Sequence, residues 1–202
     1  LKVVFYAAAA LPQDLWQRLE KLSVEATGEL VFMTSAWGST ETAPMATAAH
    51  FPLEKAGNIG VPAPGVTLKL VPSGNKLEIR VKGDNITPGY VGQDDVTAAA
   101  FDDENFYCIG DAVKLVVEDD PNQGIIFDGR VSEDFKLLSG TWVAVGNLRV
   151  DALAATSPAI QDAVVTGHDR GEICLLAWPN LEACQALAGL PDGTPPDQII
   201  SH

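Results

Sequence analysis

Three neighbouring residues carry the densest chemistry in this chain. Ser39, Thr40 and Glu41 offer two hydroxyls and a carboxylate inside the segment Ala36-Trp37-Gly38-Ser39-Thr40-Glu41-Thr42-Ala43-Pro44. Such a set can hold a phosphate oxygen together with a Mg²⁺ bound to it. The alternative is structural: Ser or Thr followed by Glu ahead of a helix is also a cap signature. The other reactive side chains are scattered. His50, His168 and His202 have no nearby Cys or His, and Cys108, Cys174 and Cys184 lie far apart with no metal spacing. All three histidines read as structural or surface residues.

The elements that must position these groups can be read from periodicity and punctuation. The apolar run Leu30-Val31-Phe32-Met33 leads into the Ser39–Glu41 loop and reads as a buried strand. Loops at strand ends are where α/β proteins place ligand chemistry. Residues 1–6 read as a second buried strand. Ala7-Ala8-Ala9-Ala10 follows it, either to let a flat ligand approach the backbone or to pack tightly. Pro12 and Asp14 open a helix, Leu15, Trp16, Leu19 and Leu22 share one face of it, and Thr27-Gly28 ends it. Strand, helix, strand over residues 1–35 is a βαβ unit with parallel strands.

Beyond residue 44 glycine and proline punctuate short alternating runs. Residues 66–70 and 76–81 flank the turn Pro72-Ser73-Gly74-Asn75, with Leu77, Ile79 and Val81 on one side. This is the language of hairpins, and an antiparallel sheet or barrel is expected. Residues 94–101 suit a short helix. Phe106-Tyr107-Cys108-Ile109-Gly110-Asp111 reads as a strand that closes on Gly-Asp, and residues 113–117 and 124–128 as a second hairpin. Gly129 to Lys136 is a compact charged connector. After it, residues 143–149 and 162–166 bracket a helix near 150–157, residues 172–178 form another strand, and the proline-rich end from Leu190 shows no last element. This last region reads as a small α+β domain.

The totals exclude several classes. With 27 acidic and 13 basic residues the net charge is −14. An acidic surface repels phosphate backbones and anionic lipid, so neither nucleic acid nor membrane is an expected partner. No apolar run reaches the length of a membrane span. Three cysteines without a pairing pattern suit a reducing, cytoplasmic setting. At 202 residues and 47% hydrophobic content, one or two domains with a good core are allowed. Oligomeric state is not legible.

Four segments, in order, resemble the motifs of the adenylate-forming superfamily, which contains the AMP-forming acyl-CoA synthetases. Ala36-Trp37-Gly38-Ser39-Thr40-Glu41 is similar to its aromatic-Gly-x-Thr-Glu motif. Lys76-Leu77-Glu78-Ile79-Arg80-Val81-Lys82-Gly83 with Gly89-Tyr90 is similar to its Gly-Glu-Leu…Gly…Gly-Tyr segment. Tyr107-Cys108-Ile109-Gly110-Asp111 is similar to Tyr-x-Thr-Gly-Asp, and Gly129-Arg130 with Lys136 to the Gly-Arg-x-x-x-x-x-Lys hinge motif. Phe5 to Pro12 and Glu133-Asp134-Phe135-Lys136 look most like the feruloyl-CoA synthase group.

The resemblance implies an α/β fold with a β-rich subdomain. Residues 1–44 would be the end of the large domain's α/β sheet, 45–128 a distorted antiparallel β-barrel, 129–136 a hinge and 137–202 an incomplete small α+β C-terminal domain. It implies a two-step reaction: a carboxylic acid attacks the α-phosphate of Mg-ATP to give an acyl-adenylate and pyrophosphate, and coenzyme A displaces AMP to form a thioester. By the same resemblance Thr40 contacts the α-phosphate and Glu41 holds Mg²⁺. Asp111 accepts from both ribose hydroxyls, as an acceptor-only carboxylate can, and Arg130 binds ribose or phosphate. Ala8, Ala9 and Ala10 lie along the adenine, with Trp37 stacked near it or bordering the acyl pocket, Gly38 is a nucleotide-binding position, and Ser132 is the hinge position. The structural alternatives are an exposed turn Asp at 111 and a surface Arg at 130.

Departures from the pattern accompany the likeness. Ser132 stands where the family has an Asp or Lys pivot, Gly140-Thr141-Trp142 replaces Gly-x-Arg, and Ala-Ala-Ala replaces Gly-Gly-Ala. The family's upstream phosphate loop and C-terminal catalytic lysine have no counterpart, Lys136 being the last lysine. The chain is thus expected to be a piece of an acid–CoA ligase that does not adenylate alone. Adenylation with a carrier-protein acceptor and a non-catalytic nucleotide-binding module are the alternatives.

Overall fold

A computed structural model describes residues 2–8 and 11–201 and divides the chain into two compact units, Leu1–Val131 and Ser132–His202. In the first unit, β1 (Val3–Tyr6) pairs parallel with β2 (Phe32–Trp37), Val3 opposite Phe32 and Tyr6 opposite Ser35. Parallel neighbours need a crossover, and α1 (Gln13–Thr27) supplies it. Gly28, at φ 80°, ends α1 in the left-handed conformation that a residue without Cβ adopts freely, and its N–H bonds Val24 O at 2.9 Å.

The expected burial of these elements is only partly realised. Trp16 is buried edge-on to Tyr6, with centroids 6.0 Å apart, but Leu15, Leu22, Val3 and Phe5 remain exposed. A parallel sheet normally has both faces covered. No second layer on the Val3/Phe5 face is among the described residues. β2 also runs further than the apolar run suggested, through Trp37. Its end pairs antiparallel with β3 (Thr47–Ala48), which pairs with β4 (Val61–Pro62).

The expected hairpins are present as one four-stranded antiparallel sheet, β5 (Thr67–Ser73), β6 (Lys76–Lys82), β7 (Tyr107–Val117) and β8 (Asp120–Arg130), neighbours in that order. Alternation on β6 buries Ile79 and Val81 completely, against Trp37, Tyr107, Ile109, Val113 and Ile125. Two boundaries differ from the sequence reading. The strand from Tyr107 does not stop at Gly-Asp but continues to Val117. Likewise β8 continues past Asp128 to Arg130. Gly110 takes φ 79° and the β7–β8 register slips between Asp111 and Val113. This is a β-bulge: it bends a strand without ending its ladder, so Asp111 lies within a strand and is no exposed turn residue.

The excursion between β6 and β7 contains α2 (Asp94–Ala99) and is fastened through Asp102. Its carboxylate receives Lys69 Nζ at 2.7 Å and Arg80 at 3.0 Å, and the backbone N–H groups of Glu104 and Phe106 at 3.0 and 2.9 Å. Lys69 first, then these N–H groups and Arg80, holds the Asp102 carboxyl well below the usual range. A carboxyl depressed on folding contributes stability that is complete above the ordinary Asp pKa and is lost as pH falls through the folded value. Below about pH 4 the melting temperature should therefore fall more steeply in the native chain than in Asp102→Asn. Equal slopes in thermal melts at successive acid pH values would refute this.

In the second unit β9 (Phe135–Lys136) pairs with β10 (Trp142–Val143), and β11 (Ile160–Thr166) pairs antiparallel with β12 (Cys174–Pro179). Between these pairs lies α3 (Val145–Thr156). The helix begins five residues before the expected start, so residues 145–149 are helical and no strand. It is held to β11 by Arg149, which bonds Asp162 and donates from Nε to Ala163 O at 2.9 Å. The end of the chain is also more ordered than its composition suggested. Asn180 Oδ1 accepts from Ala183 N at 3.2 Å and caps α4 (Leu181–Ala188), and α5 (Pro196–Ser201) follows. A side-chain cap outweighs weak periodicity in an eight-residue helix.

Candidate functional site

The Ser39–Glu41 loop is built on the end of β2. Gly38 must be glycine there: a Cβ would sit 2.0 Å from Pro44 O and 2.5 Å from Thr42 Oγ1. The Thr42 hydroxyl accepts from Ser39 N at 2.8 Å and donates to Ser39 O at 3.0 Å, closing a single 3₁₀ turn, Thr40–Thr42. The cap reading of the motif is thus partly met. Ser39 does cap a turn, but the turn is only three residues long and the Glu41 carboxylate serves elsewhere.

The loop is gripped from the 84–90 segment. Asn85 Nδ2 donates to Thr42 O at 2.8 Å and Met45 O at 3.0 Å, and Thr87 N donates to Glu41 O at 2.8 Å. The Tyr90 hydroxyl donates to Glu41 Oε1 at 3.0 Å and lies 3.0 Å from the Tyr107 hydroxyl. The Glu41 carboxyl is held below its ordinary range, first by its own backbone N–H, then by the Ser39 hydroxyl, with Tyr90 and Arg130 adding to this against the opposing effect of burial. Tyr107 is buried, and burial followed by the Tyr90 contact pushes its hydroxyl well above the usual tyrosine range. It remains a neutral hydrogen-bonding group.

A second cluster lies on the same strand. Asp111 is only 6% exposed. Trp37 Nε1 donates to its Oδ2 at 2.9 Å, and Arg130 Nε reaches Oδ1 at 3.0 Å. Arg130 is the cross-strand partner of Asp111 and also donates to Ile109 O at 2.9 Å. A carboxylate oxygen can accept two hydrogen bonds, so such a group can serve ligand donors as well as its protein partners. Arg130 is exposed, as the surface-Arg alternative has it, and is at the same time paired with Asp111.

The structure therefore brings Trp37, Gly38, Thr40, Glu41, Asp111 and Arg130 into one unit, with Thr40 exposed on its turn. Ala8 is exposed with φ 68°; Ala9 and Ala10 lie outside the described residues. Ser132 is the first residue of the second unit. Sequence reasoning gave no role to Tyr90, Tyr107 or Asn85. The first two stood inside motifs singled out for other residues, and Asn85 carried no signal. Among the described residues no group of three or more His, Cys, Asp or Glu side chains could enclose a metal, and no helix is long and apolar enough to cross a membrane. A single ionised carboxylate is nevertheless a fitting Mg²⁺ ligand, because Mg²⁺ is commonly held by one or two carboxylates together with substrate phosphates.

The fold is shared with known proteins. Residues 1–91 match the family of AMP-binding enzymes. This supports membership of the adenylate-forming superfamily, and the resemblance in the motifs is to that extent borne out. Over 172 residues the chain is 26% identical to a probable acyl-activating enzyme 16 of Arabidopsis thaliana, a match that covers 78% of this chain and 24% of that protein. Identity to a probable 4-coumarate–CoA ligase 2 of Dictyostelium discoideum is 27%, covering 86% of the chain and 31% of the relative. The adenylation domain of a carboxylate reductase from Mycobacterium chelonae has the same fold, with a TM-score of 0.67 at 24% identity, over 98% of this chain and 30% of that domain. The chain thus spans a quarter to a third of the length of these proteins.

Proposed function

We propose that this chain is the nucleotide-handling part of an acid–thiol ligase, which activates a carboxylic acid with ATP to an acyl-adenylate and passes the acyl group to coenzyme A. The observation that carries this reading is the placing of two restrained carboxylates, Glu41 and Asp111, by one strand: Tyr107 and Asp111 both belong to β7. Phosphoryl chemistry of this kind depends on positioning and charge neutralisation more than on covalent help.

In this reading the Asp111 carboxylate accepts from the two ribose hydroxyls, and Trp37 and Arg130 fix its plane. The Thr40 hydroxyl, exposed on its turn, donates to the α-phosphate. Glu41 binds Mg²⁺, which when present neutralises charge on the phosphates. Arg130 lends its exposed half to ribose or phosphate. Ala8 borders the adenine. Ser132, at the start of the second unit, is the hinge position. The acid is of the hydroxycinnamate kind, a reading supported by the resemblance to the feruloyl-CoA synthase group and by a 4-coumarate–CoA ligase among the relatives.

The test is ATP–pyrophosphate exchange by the protein that carries this chain, with hydroxycinnamates, benzoates and fatty acids as the panel. Exchange is expected with hydroxycinnamates and should vanish in Asp111→Ala. Exchange with another acid class would overturn the substrate assignment. No exchange with any acid, in a protein that still binds ATP, would overturn the ligase reading and leave a nucleotide-binding module.

A further inference from the structure

We propose that Tyr90, backed by Tyr107, is a positioning residue that orients the Glu41 carboxylate toward the metal-bearing phosphates. The inference rests on the reading of Glu41 as the metal-side carboxylate and adds the device that aims it.

The direction of the chain of hydroxyls follows from proton counting. A tyrosine hydroxyl has one proton and can accept as well as donate. Tyr90 spends its proton on Glu41 Oε1 at 3.0 Å, and an ionised carboxylate has none to return. Of the two hydroxyls that lie 3.0 Å apart, Tyr107 is therefore the donor and Tyr90 the acceptor. The relay runs Tyr107 to Tyr90 to Glu41, and each bond polarises the next.

Both ends of the relay are anchored. Tyr107 is 6% exposed in the sheet core and packs edge-on against Phe101 at 5.5 Å. The backbone of Tyr90 is held by its N–H on Thr97 Oγ1 at 2.9 Å. Gly89, at φ 142°, lets the chain pass so close that a Cβ would lie 2.3 Å from Thr97 Cγ2. The Glu41 backbone is tied to the same segment through Thr87 N. Glu41 thus has a fixed main chain, and the Tyr90 bond fixes one of its side-chain oxygens, Oε1. Strand β7 grips the loop at two points: Asp111 holds Trp37, and Tyr107, through Tyr90, holds Glu41. The two carboxylates are set in register by one rigid element.

The test separates metal from nucleotide. ATP affinity of the protein carrying this chain is measured by calorimetry in EDTA and in Mg²⁺, and the ratio of the two is compared among variants. Glu41→Gln should abolish the Mg²⁺ gain. Tyr90→Phe should leave affinity in EDTA unchanged and shrink the Mg²⁺ gain about 10- to 100-fold, the scale of one hydrogen bond to a charged group. Tyr107→Phe, which keeps the buried ring, should shrink it about 2-fold by weakening the relay, and serves alone if Tyr90→Phe does not fold. An intact Mg²⁺ gain in both tyrosine variants, or equal losses in EDTA and Mg²⁺, would overturn the positioning role. An intact gain in Glu41→Gln would instead overturn the metal reading of Glu41 itself.

Discussion

Replacing Asp111 by Asn should weaken adenine-nucleotide binding about 10- to 100-fold, since a hydrogen bond to a charged group contributes roughly 1.5–3 kcal/mol. The change is nearly isosteric, so the bulge that carries residue 111 is kept. What is lost is the second acceptor oxygen. Trp37 Nε1, on the buried side, can keep an amide oxygen at the position of Oδ2. The amide NH₂ then faces Arg130 Nε, where donor meets donor. Arg130 is half exposed and can turn to water, so the cost to stability stays modest while a vicinal diol finds one acceptor instead of two. Calorimetric titration with AMP, beside a thermal melt, checks both statements. Unchanged affinity would remove Asp111 from the ribose site. A collapse of the melting temperature would make its role structural.

Gly38→Ala should destabilise the first unit by about 3 kcal/mol or more, placing it in the tail of severe substitutions. For a chain of this size that lowers the melting temperature by roughly 6–12 °C. The clash is with main chain, Pro44 O at 2.0 Å, and so cannot be relieved by a rotamer change. The loop can escape only by moving Pro44 away, which pulls on the Ala46 N to Trp37 O bond of 2.8 Å and shifts Thr40 and Glu41 with it. Gly28→Ala is the matched control. Its Cβ would meet nothing within 4 Å, and only the left-handed φ of 80° opposes it, at about 1–2 kcal/mol. Equal melting temperatures in the two variants would refute the steric argument.

The sequence alone determined the parts with local causes. The α1 boundaries followed from Pro12 and Gly28, the β5–β6 hairpin from alternation around Gly74, and the loop of Gly38 to Glu41 from hydroxyls and a carboxylate at the end of an apolar run. It also marked Glu41 and Asp111 as candidates, through the family motifs that their neighbours resemble. Burial was less legible: Leu15, Leu22 and Phe5 have the pattern of core residues, yet a pattern states which face is apolar and not what covers it. Tertiary structure decided the partners. Trp37 and Asp111 are 74 positions apart, and no periodicity links them. Asp111 faces Arg130 only because glycines at 110 and 129 take φ of 79° and 82° and the ladder slips beside them. A bulge changes which residues oppose one another without changing the apolar pattern on either side, so the register is invisible along the chain. Tyr90 was legible as a motif residue, but its bond to Glu41 depends on where Gly89 and Thr97 let the loop pass. Local chemistry is written residue by residue; that one strand carries Asp111 and, through Tyr107 and Tyr90, reaches Glu41 is a property of the packed sheet.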